Sequence, residues 1–436
     1  MKQNIYKYLF IAMLVPIIIA TSSCRKDYTD PSRAGQDEVF STIAGLTGVN
    51  VGLQTLYSLN RNSSLFNIVS INALVTREVF LLNQGNLNEA LLTFGGDRVD
   101  GANTLLTGLW ISSNKINYDA DNVIEAAAGV SDKGYASGLV GYATIFKALS
   151  LGAMSMFWEQ IPDGNGANAT FISRNEGFNR AIAAIDNALA LINANPVSAS
   201  FTANVPPGID IVNTLHALKA RYSLYLGNFD QALTSANAVD LSKKSVLNFE
   251  AANANPVFTA AGSNFNVYQP LDSTMGLPPD LAPDLTDKRV PFYMALSGSS
   301  ASRFLMKGFV GSSTSPFPLY LPGEMMLIKA EAYARMNPPN IAQALIELNK
   351  VITKEPSQDP FGVGAGLEPL TGTFTQQELL TQIYRNRSIE LYMSGLKLED
   401  MRRFERPIAE RTRNFMPYPF RERDSNPVNT PEDPDF

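Results

Sequence analysis

The sequence predicts a mainly α-helical chain in which helix pairs carry long loops and a few short strands. Three observations lead there. Apolar residues over 215–239 step by three and four on either side of a Gly227-Asn228 break. The same arrangement recurs over 330–352, around Asn337-Pro338-Pro339. Between the periodic stretches lie segments rich in Gly, Asn and Pro, which suit neither a helix face nor a sheet face.

The elements follow in chain order. Residues 1–23 have the form of a secretory signal: Lys2 and Lys7, an apolar run over 9–20, then Thr21, Ser22 and Ser23. Twelve helical residues reach about 18 Å, short of a hydrocarbon core of about 30 Å. Pro16 interrupts the run, so a spanning helix is not expected there, and no other segment reads as long and apolar enough to be one. The next residue is Cys24, the only cysteine in the chain. The junction resembles a bacterial lipoprotein signal, in which this thiol is acylated, palmitate being a typical chain, and becomes the new N-terminus. Thr21 stands where such signals usually carry leucine. Several acyl chains, at about 0.8 kcal/mol per buried CH2, would hold the protein on a membrane. A lone cysteine excludes an internal disulfide and a thiolate zinc cluster. Residues 24–40 are charged, contain Pro31 and Gly35, and read as a flexible tether. Loss of the two signal lysines takes the formal charge from −6 to −8. An acidic chain without a basic block argues against a nucleic-acid partner and against electrostatic docking to an anionic membrane.

Helices are expected over 142–158 and 178–192. Leu215, Leu218, Tyr222 and Tyr225 then step by 3, 4 and 3, as do Phe229, Ala232, Ala236 and Val239. Two such faces joined by a tight turn make an αα-hairpin. In the second pair, Ile341, Leu345, Leu348 and Ile352 give the buried face, and Asn340 with Gln343 forms an expected capping box. Gln231-Ala232-Leu233 and Gln343-Ala344-Leu345 occupy matching places, each eight residues before a valine. The pattern resembles tetratricopeptide units, separated here by long segments. A last helical stretch is expected over 376–404. The loops are 163–171, 261–283 and 297–318, with a short strand expected within 303–309, and loops on a helical scaffold are where binding groups gather.

Catalytic chemistry finds little support. His216, the only histidine, lies on a helix face and leaves no pair for a metal. G-x-S-x-G is absent, and FGVGAG at 361–366 lies between Pro360 and Pro369 without a preceding strand, so it reads as a turn. Asp280, Asp284 and Asp287 lack the calcium-loop spacing and read as turn or cap residues. No cofactor, metal site or enzymatic activity is expected.

The C-terminal stretch RNRSIELYMSGLKLEDMRRF, 385–404, resembles the signature of the SusD/RagB family of outer-membrane nutrient-binding lipoproteins. Arg387, Glu390, Leu391, Gly395, Asp400 and Arg403 match in register; Asn386, Ser394, Lys397 and Met401 depart. Segments 109–126, 147–162, 287–289 and 414–427 resemble further family stretches. The resemblance implies a SusD-like fold as a single domain over 41–436, with an N-terminal region of about 41–240 and a C-terminal region of about 280–436. It implies a non-enzymatic protein at the outer membrane, facing outward. Its partner would be a SusC-like TonB-dependent transporter and its ligand an oligosaccharide. The signature itself reads as structural: Arg387 with Glu390, Lys397 with Asp400, and Asp400 with Arg403 are i,i+3 neighbours that would clasp the terminal helices. Gly395 would mark a helix end or a close backbone contact. Trp110 and Tyr222 are expected in the core. Expected ligand contacts are Arg77, Phe94, Asp97, Trp158, Phe265 and Tyr268. Only two tryptophans are present, sparse for a sugar platform, so a peptide ligand is an alternative within the family. Two other classes are a tetratricopeptide-type scaffold with a concave groove for protein partners only, and a secreted glycosidase with two facing carboxyl groups.

Overall fold

The computed structural model describes residues 36–166, 168–262, 267–298 and 304–436. The signal 1–23, Cys24, the tether up to residue 35 and Phe265 lie outside the described residues. The tether expected to run to residue 40 ends earlier, because residues 36–40 already belong to helix α1 (Gln36–Ser41).

Six helices follow: α2 (Ile43–Ser58), α3 (Ser64–Val75), α4 (Leu87–Phe94), α5 (Thr104–Ala127), α6 (Lys133–Phe157) and α7 (Arg174–Ala194). Their starts are fixed locally. Thr42, Ser63, Asn103, Asp132 and Ser173 each accept a hydrogen bond from a first-turn backbone N–H. Helix α6 lies between α5 and α7 and is buried from Tyr135 to Phe157 except at Lys147. By length and composition it could cross a membrane, which corrects the expectation that no segment beyond the signal could. Its burial on all sides instead makes it the central core helix, and a helix apolar all round is what such a position requires.

After the short α8 (Ala199–Thr202), the first hairpin is α9 (Ile211–Tyr225) and α10 (Phe229–Asn237), turned at Gly227. Two short helices, α11 (Pro256–Ala261) and α12 (Arg289–Tyr293), lead to the second hairpin, α13 (Pro322–Arg335) and α14 (Ile341–Ile352). Helix α10 packs on α13, and α13 packs on α14 and on α15 (Gln376–Glu390), so the two distant hairpins stack. The capping box expected at Asn340 forms by half. Asn340 accepts from the Gln343 backbone N–H, but the Gln343 side chain turns to Glu347. The chain closes with α16 (Lys397–Arg403) and α17 (Phe420–Ser425).

Among the described residues, strands appear as four antiparallel pairs. β1 (Phe80–Leu81) pairs with β5 (Tyr268–Gln269), and β2 (Gln160–Pro162) with β3 (Phe171–Ser173). β4 (Val246–Leu247) pairs with β8 (Phe317–Pro318), and β6 (Met294–Leu296) with β7 (Phe304–Met306). β7 falls within the expected 303–309. The largest apolar cluster gathers residues from Leu46 to Tyr418, so both ends of the described chain share one core.

Candidate functional site

The C-terminal motif is buried scaffold. Arg387 grips Asp400 at 2.9 and 3.0 Å, and Arg403 bridges Asp400 at 2.7 Å and Glu331 at 2.7 and 2.9 Å. Two of the expected pairings do not form. Glu390 closes α15 and faces the other way from Arg387, taking Lys354 at 2.8 Å and Arg289 at 3.2 Å. Arg289 in turn holds Asp287 through two bonds, at 3.0 and 2.7 Å. Lys397 reaches not Asp400 but the carbonyls of Met275 and Gly276, at 3.0 and 2.9 Å. Gly395 has φ +85°, and a Cβ there would stand 2.5 Å from Ile68 Cγ2. The close-contact role therefore applies, and Gly395 lies in the turn between α15 and α16 rather than at the end of α15. Burial pushes the Asp400 carboxyl up, but Arg387 and Arg403 outweigh it and hold it below the usual range.

The aromatic candidates divide. Trp158 is fully buried and donates Nε1 to the Pro417 carbonyl at 3.0 Å. Tyr268 is fully buried with its hydroxyl 2.8 Å from Ser70 Oγ. Neither can touch a ligand from the surface, so both expected contacts are corrected to core residues: each is a large ring whose polar atom is satisfied inside. Trp110 and Tyr222 are buried as expected. Arg77, Phe94 and Asp97 are exposed, and the Arg98 guanidinium lies 4.9 Å over the Phe94 ring. None of these three lines the clefts described next.

Those clefts form one groove on the polar face of α5. Ile111, Asn114, Tyr118 and Asp121 step by 3, 4 and 3 along it. The loop after β2 crosses this face and divides it into clefts of about 290 and 280 Å³ that share Asn114, Pro162, Gly164 and Asn165. Several contacts fix the loop. The Asp163 N–H meets the Thr170 carbonyl at 2.7 Å, and Asn426 and Asn429 donate to the Ala169 and Asn168 carbonyls at 2.8 Å. Asp163 is ion-paired to Arg180, whose hydrogen bond and charge hold that carboxyl below the usual range. Asn165 Nδ2 donates to Asp121 Oδ2 at 3.3 Å, while Lys147 pairs with Asp121 Oδ1. Under the first cleft, Trp110 packs edge-on against Trp158 and Tyr418, and its indole N–H meets Glu422 at 3.0 Å.

The arrangement offers amides, paired charges and part-exposed apolar faces (Ile111 at 41 % and Tyr118 at 37 % exposure) to one volume. This mixture suits a ligand with hydroxyl edges and apolar ring faces. Asp121 and Asp163 are each ion-paired, with Lys147 and Arg180 respectively. Among the described residues no group of three His, Cys, Asp or Glu side chains is placed to hold a metal ion. A cavity of about 60 Å³ beside the Arg221–Glu324 pair is lined mainly by buried apolar and aromatic side chains, among them Tyr57, Phe317 and Tyr392. A wider, open groove of about 1080 Å³ runs between the two hairpin turns, 227–231 and 336–342. Sequence reasoning singled out the 163–171 loop but missed Asn114, Tyr118, Asp121, Asn165 and Arg180. The three-four stepping of Ile111, Asn114, Tyr118 and Asp121 beside Trp110 was the available signal.

Residues 307–431 match the model of the SusD family. No curated protein matches the chain. A SusD-like carbohydrate-binding protein from Bacteroides fragilis superposes with TM-score 0.66 at 12% identity, covering 84% of this chain and 87% of its own. A laminarin-binding SusD-like protein gives 0.65 at 13%, with 90% and 99% covered. NanU of B. fragilis gives 0.66 at 13%, with 93% and 99% covered.

Proposed function

We propose that the chain is a SusD/RagB family protein, its residues 307–431 matching the family model and its fold being SusD-like, and that it captures a glycan outside the cell without altering it. The observation that carries this is the extent of the fold likeness. It spans most of the chain, and the relatives include proteins described as carbohydrate-binding and as laminarin-binding. The groove over α5 is the proposed seat, because its amides and ring faces match the two surfaces of a sugar. Acylation of Cys24 would anchor the protein in the outer membrane on a charged tether. A SusC-like TonB-dependent transporter would take the ligand from it. Reversible capture needs no bond broken.

A glycan and peptide array probed with the chain from residue 25 onward tests this, with product analysis on every hit. Binding of an oligosaccharide that is recovered intact is expected. Exclusive peptide binding, or cleavage of the bound glycan, would overturn it.

A further inference from the structure

We propose that the groove selects an uncharged oligosaccharide and that Asp121 is the residue that sets this selectivity; the inference rests on the glycan-capture function proposed above. Each cleft is electroneutral. The second is lined by Lys147 and Arg180 against Asp121 and Asp163, the first by Arg421 against Glu422. Both cations of the second cleft are already engaged: Lys147 with Asp121, and Arg180 with the Asp163 carboxylate and carbonyl. An anionic sugar entering there would lose its hydration beside two carboxylates, with no unengaged cation to receive it. Arg421, on the exposed rim of the other cleft, is screened by solvent and salt. A neutral ring meets amides instead. Asn114, Asn117, Asn165 and Asn187 each carry a donor and an acceptor, as a sugar hydroxyl does.

Asp121 holds this balance. One oxygen neutralises Lys147, and the other receives Asn165 from the dividing loop. It thus cancels the single lysine of the lining and ties the loop across the junction of the clefts. Because the clefts meet at Asn114 and Asn165, a ligand filling both must pass over them and be longer than one ring. One end of it would lie on Ile111, Tyr118 and Pro162, the other among the amides.

The test uses calorimetric titration with matched panels: neutral gluco-, manno- and galacto-configured hexasaccharides, and the corresponding hexuronides. The wild type should favour at least one neutral hexasaccharide over its hexuronide by about tenfold or more. Asp121→Asn leaves Lys147 without its counter-ion and should shift that ratio toward the hexuronide by about tenfold, more so at low salt. The double variant Asp121→Asn/Lys147→Gln should restore the neutral preference. Asp121 is 45 % exposed and its variants should fold, which circular dichroism checks. A wild-type preference for hexuronides, or an unchanged ratio in folded Asp121→Asn, overturns this inference and leaves glycan capture standing. Binding of neither panel overturns glycan capture itself.

Discussion

At the scale of single residues, the fold is held by buried ions whose partners decide their effect. Asp400 serves two arginines at once, and all three side chains are nearly inaccessible. Asp400→Asn leaves both guanidinium groups short of counter-charge and should cost about 3–5 kcal/mol in urea unfolding; an unchanged midpoint would contradict the clasp. The pH dependence has two opposite arms. Asp400 and Glu399 are held below the usual range against burial, by Arg387 with Arg403 and by Arg402 with Arg174 respectively. Their stabilisation is complete above the ordinary carboxylate range and is lost as pH falls through their lower folded values. Burial instead pushes Glu78 up to about 7. Its contribution is complete below about 4.5 and is lost as pH rises through 7. Wild type should therefore lose up to about 3 kcal/mol more than Glu78→Gln between pH 5 and pH 8; parallel stability curves would contradict it. The sequence made the ions of the motif legible but not their pairing. Spacing i,i+3 says that Arg387 and Glu390 are neighbours; it does not say that the helix ends at Glu390 and aims it at another loop.

At the scale of elements, the helix pairs were legible because α9, α10 and α14 carry apolar residues at three-four spacing. The α9 stripe Leu215, Leu218, Tyr222 and Tyr225 packs in the main core, while Ala217, Ala220 and Leu224 on its other side pack with α10 and α13. Helix α6 shows no such contrast, since every side is covered, and only its neighbours reveal it as core. Those neighbours come very close. A Cβ on Gly152 would stand 2.2 Å from the Tyr222 hydroxyl oxygen, which donates to the Ala148 carbonyl at 3.0 Å. Gly152→Ala should cost about 1–3 kcal/mol by forcing Tyr222 off that site, visible as a lowered Tm; a wild-type Tm would show that the ring can yield. Asn340→Ala removes the side-chain cap of α14 and should cost about 1 kcal/mol. The candidate groove was half legible for the same reason. Its loop stands out by composition, whereas the face of α5 that meets the loop is settled by Asn426, Asn429 and Arg180, residues distant in sequence.

At the scale of the whole molecule, the chain is acidic and has no basic block, so the proposed membrane anchoring falls to acylation of Cys24 rather than to charge. Mass spectrometry of membrane-extracted protein should find Cys24 acylated, and an unmodified thiol would contradict the proposed location. Expected contacts at Trp158 and Tyr268 failed because both rings lie in the core with their polar atoms bonded inside. The proposed ligand contact then falls to Asn114, Tyr118 and the loop. The most direct measurement is titration of an array-positive oligosaccharide into wild type and into Asn114→Ala/Tyr118→Ala. A loss of affinity of about tenfold or more, with the glycan recovered intact, is the predicted result. Undiminished affinity in the folded double variant, or a shortened glycan after binding, would contradict capture in this groove.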